Sequence, residues 1–211
     1  PASPAGEVDA TSMRKLLSRL VAAGVDSIGV LGSTGSYAYL SREQRRRALE
    51  VAVDEVAGRI PLIAGVGALR TDEAVKLARD AKAIGAKAGL LSAMSYLPLS
   101  QNEVFAHFTA VADQSGLPLV IYDNPGTTHF SFSTELIVRL SRHPGIVAVK
   151  YPTSSRDAIP PHLRDQRTAV GESFSLGYSG DWCCAEAMIA GADTWYSVLG
   201  GTLPVPCLQI V

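Results

Sequence analysis

Short apolar runs alternate along the chain with longer amphipathic segments. The apolar runs predict strands at 26–31, 61–66, 88–92, 118–122, 146–150, 174–178 and 194–199. The intervening segments have helical spacing and several end at glycine, which predicts helices over 8–23, 40–57, 71–84, 101–115, 133–141, 159–166 and 182–190. Strict alternation of strand and helix predicts parallel strand pairing, because each helix carries the chain back to the same end of the sheet.

Polar or glycine-rich residues recur where the predicted strands end, which favours a (β/α)8 TIM barrel over an open doubly wound sheet. Chemistry in such barrels lies on the rim formed by those strand ends. Seven strands are one fewer than a complete barrel has, and 211 residues fall short of the usual length of about 250. We therefore expect residues 1–211 to form one incomplete barrel domain without its first strand and C-terminal helices. Either further residues complete the barrel, or this piece is unstable alone because two strand edges stay unpaired.

Composition narrows the class of protein. The chain is 47% hydrophobic and 18% charged with a net charge of -1, which indicates a globular domain and argues against a nucleic-acid partner. No apolar segment approaches the roughly 18 residues that a membrane span needs, and no signal peptide is evident. The three cysteines form no disulfide framework and predict a cytoplasmic location. The four histidines lack metal-ligand spacing, and His162 lies in a polar stretch that we expect to be exposed, so we predict no metal site.

Lys150 ends the apolar run 146–149, which predicts a strand buried on both faces. Burial disfavours an ammonium, so a lysine at this position is expected to have a lowered pKa and some neutral amine near neutral pH. A neutral amine attacks a carbonyl carbon and forms a Schiff base. The alternative is that Lys150 extends from the strand end into solvent, and position alone does not decide between them.

Three other strand ends carry candidate groups. Small residues after a strand let backbone N–H groups and the hydroxyls of Ser33 and Thr34 converge on an anion such as a carboxylate, although the same residues also form an ordinary turn. Tyr122 precedes Asp-Asn-Pro, and Tyr96 lies in a Ser-Tyr-Leu-Pro loop. A tyrosine at a strand end is more often a packing residue than a catalytic one, and Tyr96 by itself is equally ambiguous.

Together these motifs resemble the dihydrodipicolinate synthase and N-acetylneuraminate lyase family. The resemblance rests on Gly-Ser-Thr-Gly at 32–35, Tyr-Asp-Asn-Pro at 122–125, Lys150 and Ser-Gly-Asp at 179–181. Ala-Gly-Ala-Asp at 190–193, followed by Trp-Tyr-Ser-Val at 195–198, adds support. The motifs follow the family order over nearly the whole chain.

The resemblance implies a homo-oligomeric barrel, a tetramer or dimer, that binds pyruvate or another 2-keto acid covalently without a cofactor. It makes Lys150 the Schiff-base lysine, Tyr122 the proton relay, and Ser33 and Thr34 the holders of the keto-acid carboxylate. Tyr96 would be contributed to a neighbouring subunit's site. Gly180 and Tyr196 would line the pocket.

Departures from the family pattern bear on the substrate. Thr127 stands where synthases of lysine biosynthesis carry an arginine that grips the second substrate's carboxylate, and Ser36 replaces a glutamate. The resemblance therefore favours an aldolase or dehydratase for a 2-keto-3-deoxy acid. Three alternatives stay open: 4-hydroxy-tetrahydrodipicolinate synthase proper, a catalytically silent keto-acid-binding regulatory barrel and, with least support, a metal-dependent aldolase.

Overall fold

A curled sheet of seven parallel strands forms the centre of the protein, in a computed structural model that describes residues 1–153 and 155–211. The strand order is the chain order, and every pairing is parallel. The strands are β1 (Ile28–Val30), β2 (Leu62–Gly65), β3 (Ala88–Ser92), β4 (Leu119–Tyr122), β5 (Ile146–Tyr151), β6 (Ser175–Tyr178) and β7 (Thr194–Trp195). The predicted α/β barrel architecture is confirmed.

Helices connect successive strands and cover the outside of the sheet. They are α1 (Ala10–Ala23), α2 (Arg42–Val56), α3 (Thr71–Ile84), α4 (Gln101–Ser115), α5 (Pro125–Thr128), α6 (Thr134–Ser141), α7 (Ile159–Val170), α8 (Cys184–Ile189) and α9 (Pro204–Leu208). Clear capping residues made some boundaries predictable: Ser100 and Glu103 form a reciprocal capping box that starts α4, and Gly116 ends it in a left-handed conformation. The short helices α5 and α9 were not predicted, because four or five residues carry too little periodicity.

The last strand is shorter than predicted. β7 covers two residues, and Leu199–Gly201 forms a 3-10 turn instead of continuing it. The reason is Asp181, whose carboxylate accepts hydrogen bonds from the amides of Val198 and Leu199 at 3.2 and 2.8 Å. Those amides are therefore unavailable to a strand ladder.

Two local expectations were wrong. The β5 strand is not buried on both faces throughout, because Val147 is 38% exposed where the pairing with β4 passes from Ile146 to Ala148. His162 is half-buried in α7 instead of exposed, because its Nδ1 is hydrogen-bonded to the Tyr178 hydroxyl at 2.6 Å. The side chain faces the sheet, where that hydroxyl offers a partner.

The structure also bears on the expectations about membrane spans, cysteines and metal ligands. Within residues 1–153 and 155–211, no helix combines the length and apolarity that crossing a membrane would require. The three cysteines are free and buried. The described residues also contain no group of three His, Cys, Asp or Glu side chains arranged to hold a metal ion.

Candidate active site

Strand register places the central candidate residues side by side. Ser92 on β3 pairs with Tyr122 on β4, and Tyr122 pairs with Lys150 on β5. Lys150 in turn pairs with Gly177 on β6. Because the strands are parallel, these positions lie at the same carboxyl-terminal rim, where barrel enzymes carry their chemistry.

Lys150 is half-buried between two aromatic rings. Its Nζ lies 4.3 Å from the centroid of the Tyr122 ring and 5.5 Å from that of Tyr196. Burial lowers the pKa of Lys150 to about 8, and the negative charge of Asp181 opposes that shift. The side chain therefore has the electrostatics of a nucleophilic amine.

The Tyr122 hydroxyl belongs to a chain of neutral hydrogen-bonding groups. It lies 3.3 Å from Ser33 Oγ, and it accepts a hydrogen bond from Asn124 Nδ2 at 3.1 Å. Asn124 Nδ2 also donates to Thr127 Oγ1 at 2.9 Å. Helix α5 starts at Pro125 and brings Thr127 back toward Tyr122, so a short helix that the sequence did not reveal shapes this side of the site.

A close backbone contact fixes the turn that carries Ser33. Leu31 has a left-handed backbone (φ 59°) at the end of β1, which is uncommon for a residue with a branched side chain. A Cβ atom added to Gly65 would lie 1.7 Å from the Leu31 carbonyl oxygen, so only glycine permits the approach. Strained positions of this kind concentrate at functional sites.

Two of the backbone amides of this turn are engaged within the turn itself. The amides of Gly35 and Ser36 donate to the carbonyls of Gly32 and Ser33 at 2.9 and 3.0 Å. They are therefore not free to bind an anion. Ser33 and Thr34 are both exposed, and Ser33 alone of the two has a side-chain contact with Tyr122 among those described.

The remaining predicted residues differ in how closely they join this group. Tyr196 is half-buried beside Lys150, and burial raises the pKa of Tyr196 to about 12. Gly180 lies just beyond β6 with φ 100°, where an added Cβ would meet Thr153 Oγ1 at 2.0 Å. Tyr96 is 93% exposed and projects away from the chain.

A cavity of about 240 Å³ lies beside Tyr122. Ser33, Tyr122 and Thr127 line it, whereas Lys150 does not. Among the residues that the structure describes, the lining contains hydroxyl, amide, thioether, aromatic and aliphatic groups but no Lys, Arg, His, Asp or Glu. Its residues are Ser33, Ser36, Tyr37, Ala38, Tyr39, Leu69, Ser92, Met94, Ser95, Tyr122, Asn124, Thr127 and Thr128.

Asp123 is an ionisable group buried next to Tyr122. Its amide donates to the Lys150 carbonyl at 3.1 Å. Burial raises the pKa of Asp123 to about 7, although the Phe132 amide opposes the shift. Its Oδ1 is buried and has no hydrogen-bond partner among the described residues.

Sequence reasoning missed the supporting roles of Asn124 and Asp181. Asn124 lies inside the Tyr-Asp-Asn-Pro motif, between Tyr122 and Thr127 in the sequence. That position was a signal from which its hydrogen bonds to both residues could have been predicted. Asp181 accepts from Trp195 Nε1 at 3.2 Å and acts on Lys150 through its charge. That contact joins residues 14 positions apart and has no local signature.

Comparison with known proteins assigns the family. The sequence profile of the Dihydrodipicolinate synthetase family matches residues 1–211. The chain belongs to this family. The resemblance carried by the motifs is thereby confirmed.

Relatives in the family share both sequence and fold with this chain. A 4-hydroxy-tetrahydrodipicolinate synthase of Methylococcus capsulatus is 35% identical over 205 residues, which are 97% of this chain and 69% of the relative. The crystal structure of a dihydrodipicolinate synthase from Agrobacterium tumefaciens is 55% identical with a TM-score of 0.96, covering 99% of this chain and 70% of that one.

The dihydrodipicolinate synthase of Acinetobacter baumannii, solved as a complex with pyruvate, is 33% identical with a TM-score of 0.90. The match covers 97% of this chain and 69% of that one. The chain thus spans about two thirds of the length of the curated relatives it matches.

Proposed function

We propose that this protein is a lyase that acts on pyruvate or a 2-keto-3-deoxy acid through an imine with Lys150. The observation that carries the proposal is the amine itself: half-buried at the end of β5, with its pKa lowered to about 8 and its Nζ 4.3 Å from the Tyr122 ring. Two family members, from Acinetobacter baumannii and an Escherichia coli prophage, were solved with pyruvate. Their complexes support a keto acid as the ligand.

The proposed reaction needs no cofactor, because the imine itself withdraws electrons. The Lys150 amine adds to the keto-acid carbonyl, and water leaves as the imine forms. Loss of a proton from the neighbouring carbon gives an enamine, which forms a carbon–carbon bond with an aldehyde while the aldehyde oxygen takes up a proton. Water then hydrolyses the imine and restores the amine; cleavage is the reverse sequence.

The hydroxyl chain suits the proton transfers in this scheme. Tyr122 lies beside the amine and within 3.3 Å of Ser33 Oγ, so a proton can pass between the reacting atoms and solvent-exposed Ser33. Ser33 and Thr34 are proposed to hold the keto-acid carboxylate, with Gly180 and Tyr196 on the opposite wall. These roles are those that the family resemblance implies.

A second candidate is 4-hydroxy-tetrahydrodipicolinate synthase proper, favoured by the names of the relatives at 35% and 34% identity. Thr127 argues against it, because a threonine hydroxyl cannot pair with a carboxylate as an arginine does. A silent regulatory barrel would have no need of a lysine with a lowered pKa.

The proposed assembly is a homo-oligomer in which Tyr96 reaches a neighbouring subunit. Tyr96 is 93% exposed and the adjacent Leu97 is 70% exposed. Two large exposed side chains on one loop are typical of a surface that packs against another chain.

The deciding experiment is borohydride trapping with pyruvate, followed by intact-mass measurement and mapping of the adduct. We expect one pyruvate per chain on Lys150 and none in Lys150→Ala. An adduct on Lys76, Lys82 or Lys87 would refute the assignment. Trapping without turnover of any aldehyde would favour the silent barrel, and formation of 4-hydroxy-tetrahydrodipicolinate would favour the synthase.

A further inference from the structure

Asp123 is a buried ionisable group that the proposed imine chemistry leaves without a role. It is 8% exposed, follows Tyr122 directly and donates its backbone amide to the Lys150 carbonyl. We propose that Asp123 is a positioning residue for Tyr122, and that the proton relay works only while the Asp123 carboxyl is protonated. The inference rests on the proposed function, because it concerns the tyrosine that relays protons to and from the Lys150 imine.

Strand geometry places Asp123 on the outer face of the sheet. Its amide continues the ladder between β4 and β5 by one residue, and side chains alternate between the faces of a strand. Asp123 therefore points away from the interior that Tyr122 and Lys150 share. Tyr151 and Tyr178, which pair with each other on β5 and β6, point outward as well. The negative charge of Asp123 contributes to the raised pKa of Tyr151, so these two side chains are neighbours.

The ionisable side chains on this outer face are neutral. Burial raises the pKa of Tyr151 and of Tyr178 above the usual value. The His162 ring of α7 packs against both, with centroids 4.7 and 5.9 Å away, and burial lowers the pKa of His162 although the charge of Asp165 opposes the shift. The charged side chains of α6 and α7 are exposed or, for Arg167, paired with Asp193: Glu135, Arg139, Arg164, Asp165 and Arg167.

An ionised Asp123 would lack compensation in this position. Its Oδ1 is buried without a hydrogen-bond partner among the described residues, and the neighbouring outer-face groups supply no cation. A buried carboxylate in such surroundings is unfavourable, whereas the protonated acid is tolerated. Burial accordingly raises the pKa of Asp123 to about 7. Once ionised, the side chain gains free energy by reaching water, and that movement displaces the backbone on either side of it.

The Tyr122 hydroxyl is sensitive to such a displacement. Asp123 lies between Tyr122 and Asn124, whose Nδ2 donates to that hydroxyl at 3.1 Å. The contact between the hydroxyl and Ser33 Oγ, at 3.3 Å, is already long for two hydroxyls, so a shift of a few tenths of an ångström would break it. Lys150 is less affected, because β5 is held by both β4 and β6. Ionisation of Asp123 should therefore impair proton transfer while imine formation continues.

The test measures these two steps separately. Borohydride trapping of pyruvate reports imine formation. Exchange of the pyruvate methyl hydrogens with D2O, followed by NMR, reports proton transfer, because the imine must lose and regain a proton at that carbon. In the unaltered protein we expect the ratio of exchange rate to trapping rate to fall about tenfold between pH 6 and pH 8, as the neutral fraction of Asp123 falls from about 91% to about 9%.

Asp123→Asn tests the role of the proton directly, because it keeps the shape of the acid and stays neutral at every pH. It should hold the ratio level between pH 6 and pH 8, and so exceed the unaltered protein about tenfold at pH 8 when the two are matched at pH 6. A merely structural role would lower the ratio at every pH and leave its pH dependence in place. Asp165→Asn is the matched control, because Asp165 is an exposed carboxylate of α7 that acts on His162.

The possible failures are distinguishable. If pyruvate cannot be trapped on Lys150, the proposed function is wrong and this inference falls with it. If trapping succeeds but the ratio stays level in the unaltered protein, or falls equally in Asp123→Asn, the proposed lyase stands and the inference about Asp123 alone is overturned. A fall that vanishes in Asp165→Asn would overturn it as well. Asp123→Ser, which is also neutral, replaces Asp123→Asn if that variant does not fold.

Discussion

Lys150 should form its imine at a rate that follows the titration of a buried amine. With a pKa of about 8 in place of the usual 10.5, about 9% of Lys150 is neutral at pH 7, against about 0.03% of an ordinary lysine. The difference is a roughly 300-fold excess of nucleophile at that pH. The cause is burial of the amine at the carboxyl-terminal end of β5, which makes the ammonium less favourable than the amine.

The assay is the initial rate of reductive trapping with pyruvate between pH 6 and pH 10, measured as adduct per chain by mass. We expect the rate on Lys150 to rise about tenfold per pH unit up to pH 7 and to level off above pH 8 to 9. Lys76 is the internal control, because its contacts with Glu73 raise its pKa and keep it charged. Lys150→Ala supplies the background.

Two outcomes would refute the reasoning. A rate on Lys150 that keeps rising tenfold per unit through pH 9 and 10 would show that burial has not lowered its pKa. Equal labelling of Lys150 and Lys76 at pH 7 would show that the barrel rim confers no special reactivity. A rate that levels off above pH 8 to 9, seen on Lys150 alone, would support both the pKa shift and its cause.

Three further predictions concern the site and its supports. Tyr122→Phe should retain pyruvate trapping while lowering turnover by about 10²- to 10⁴-fold, measured by steady-state kinetics. Asp123 binds a proton more tightly in the folded protein than in the unfolded chain, because burial raises its pKa from 3.8 to about 7. The free energy of unfolding should therefore fall as pH rises from about 4 to 7. Asp123→Asn should remove this trend, which amounts to roughly 4 kcal/mol in urea unfolding. Gly65→Ala should lower stability by about 3 kcal/mol or more, because its Cβ would overlap the Leu31 carbonyl.

Controls for these variants are available in the chain. Asp72→Asn should remove a stability contribution of the opposite sign, one that is lost as pH falls, since the contact with Arg70 lowers the pKa of Asp72. Gly29→Ala should cost little stability, because an added Cβ there meets nothing within 4 Å. Unchanged turnover in Tyr122→Phe would remove Tyr122 from the mechanism. A pH trend that persists in Asp123→Asn would assign that trend to another group.

The order of elements was predictable because its signals are local. Helices 71–84 and 101–115 were predicted with the bounds that the structure has, since a glycine follows each of them, a capping box starts the second, and acidic residues mark the first turn of the first. Lys150 at the end of an apolar run marked the rim of a barrel before any contact was known. Helical periodicity, apolar runs and turn residues act over a few positions, so one sequence is enough to reveal them.

The composition of the site depended on contacts that no short segment encodes. The pairing of β4 with β5 places Tyr122 beside Lys150, and Asp181 ends β7 early by binding the amides of Val198 and Leu199. The uncharged lining of the cavity and the fit of Gly65 against Leu31 likewise arise where distant strands and loops meet. Register and packing are set by the whole core at once, and for that reason only the tertiary structure decided them.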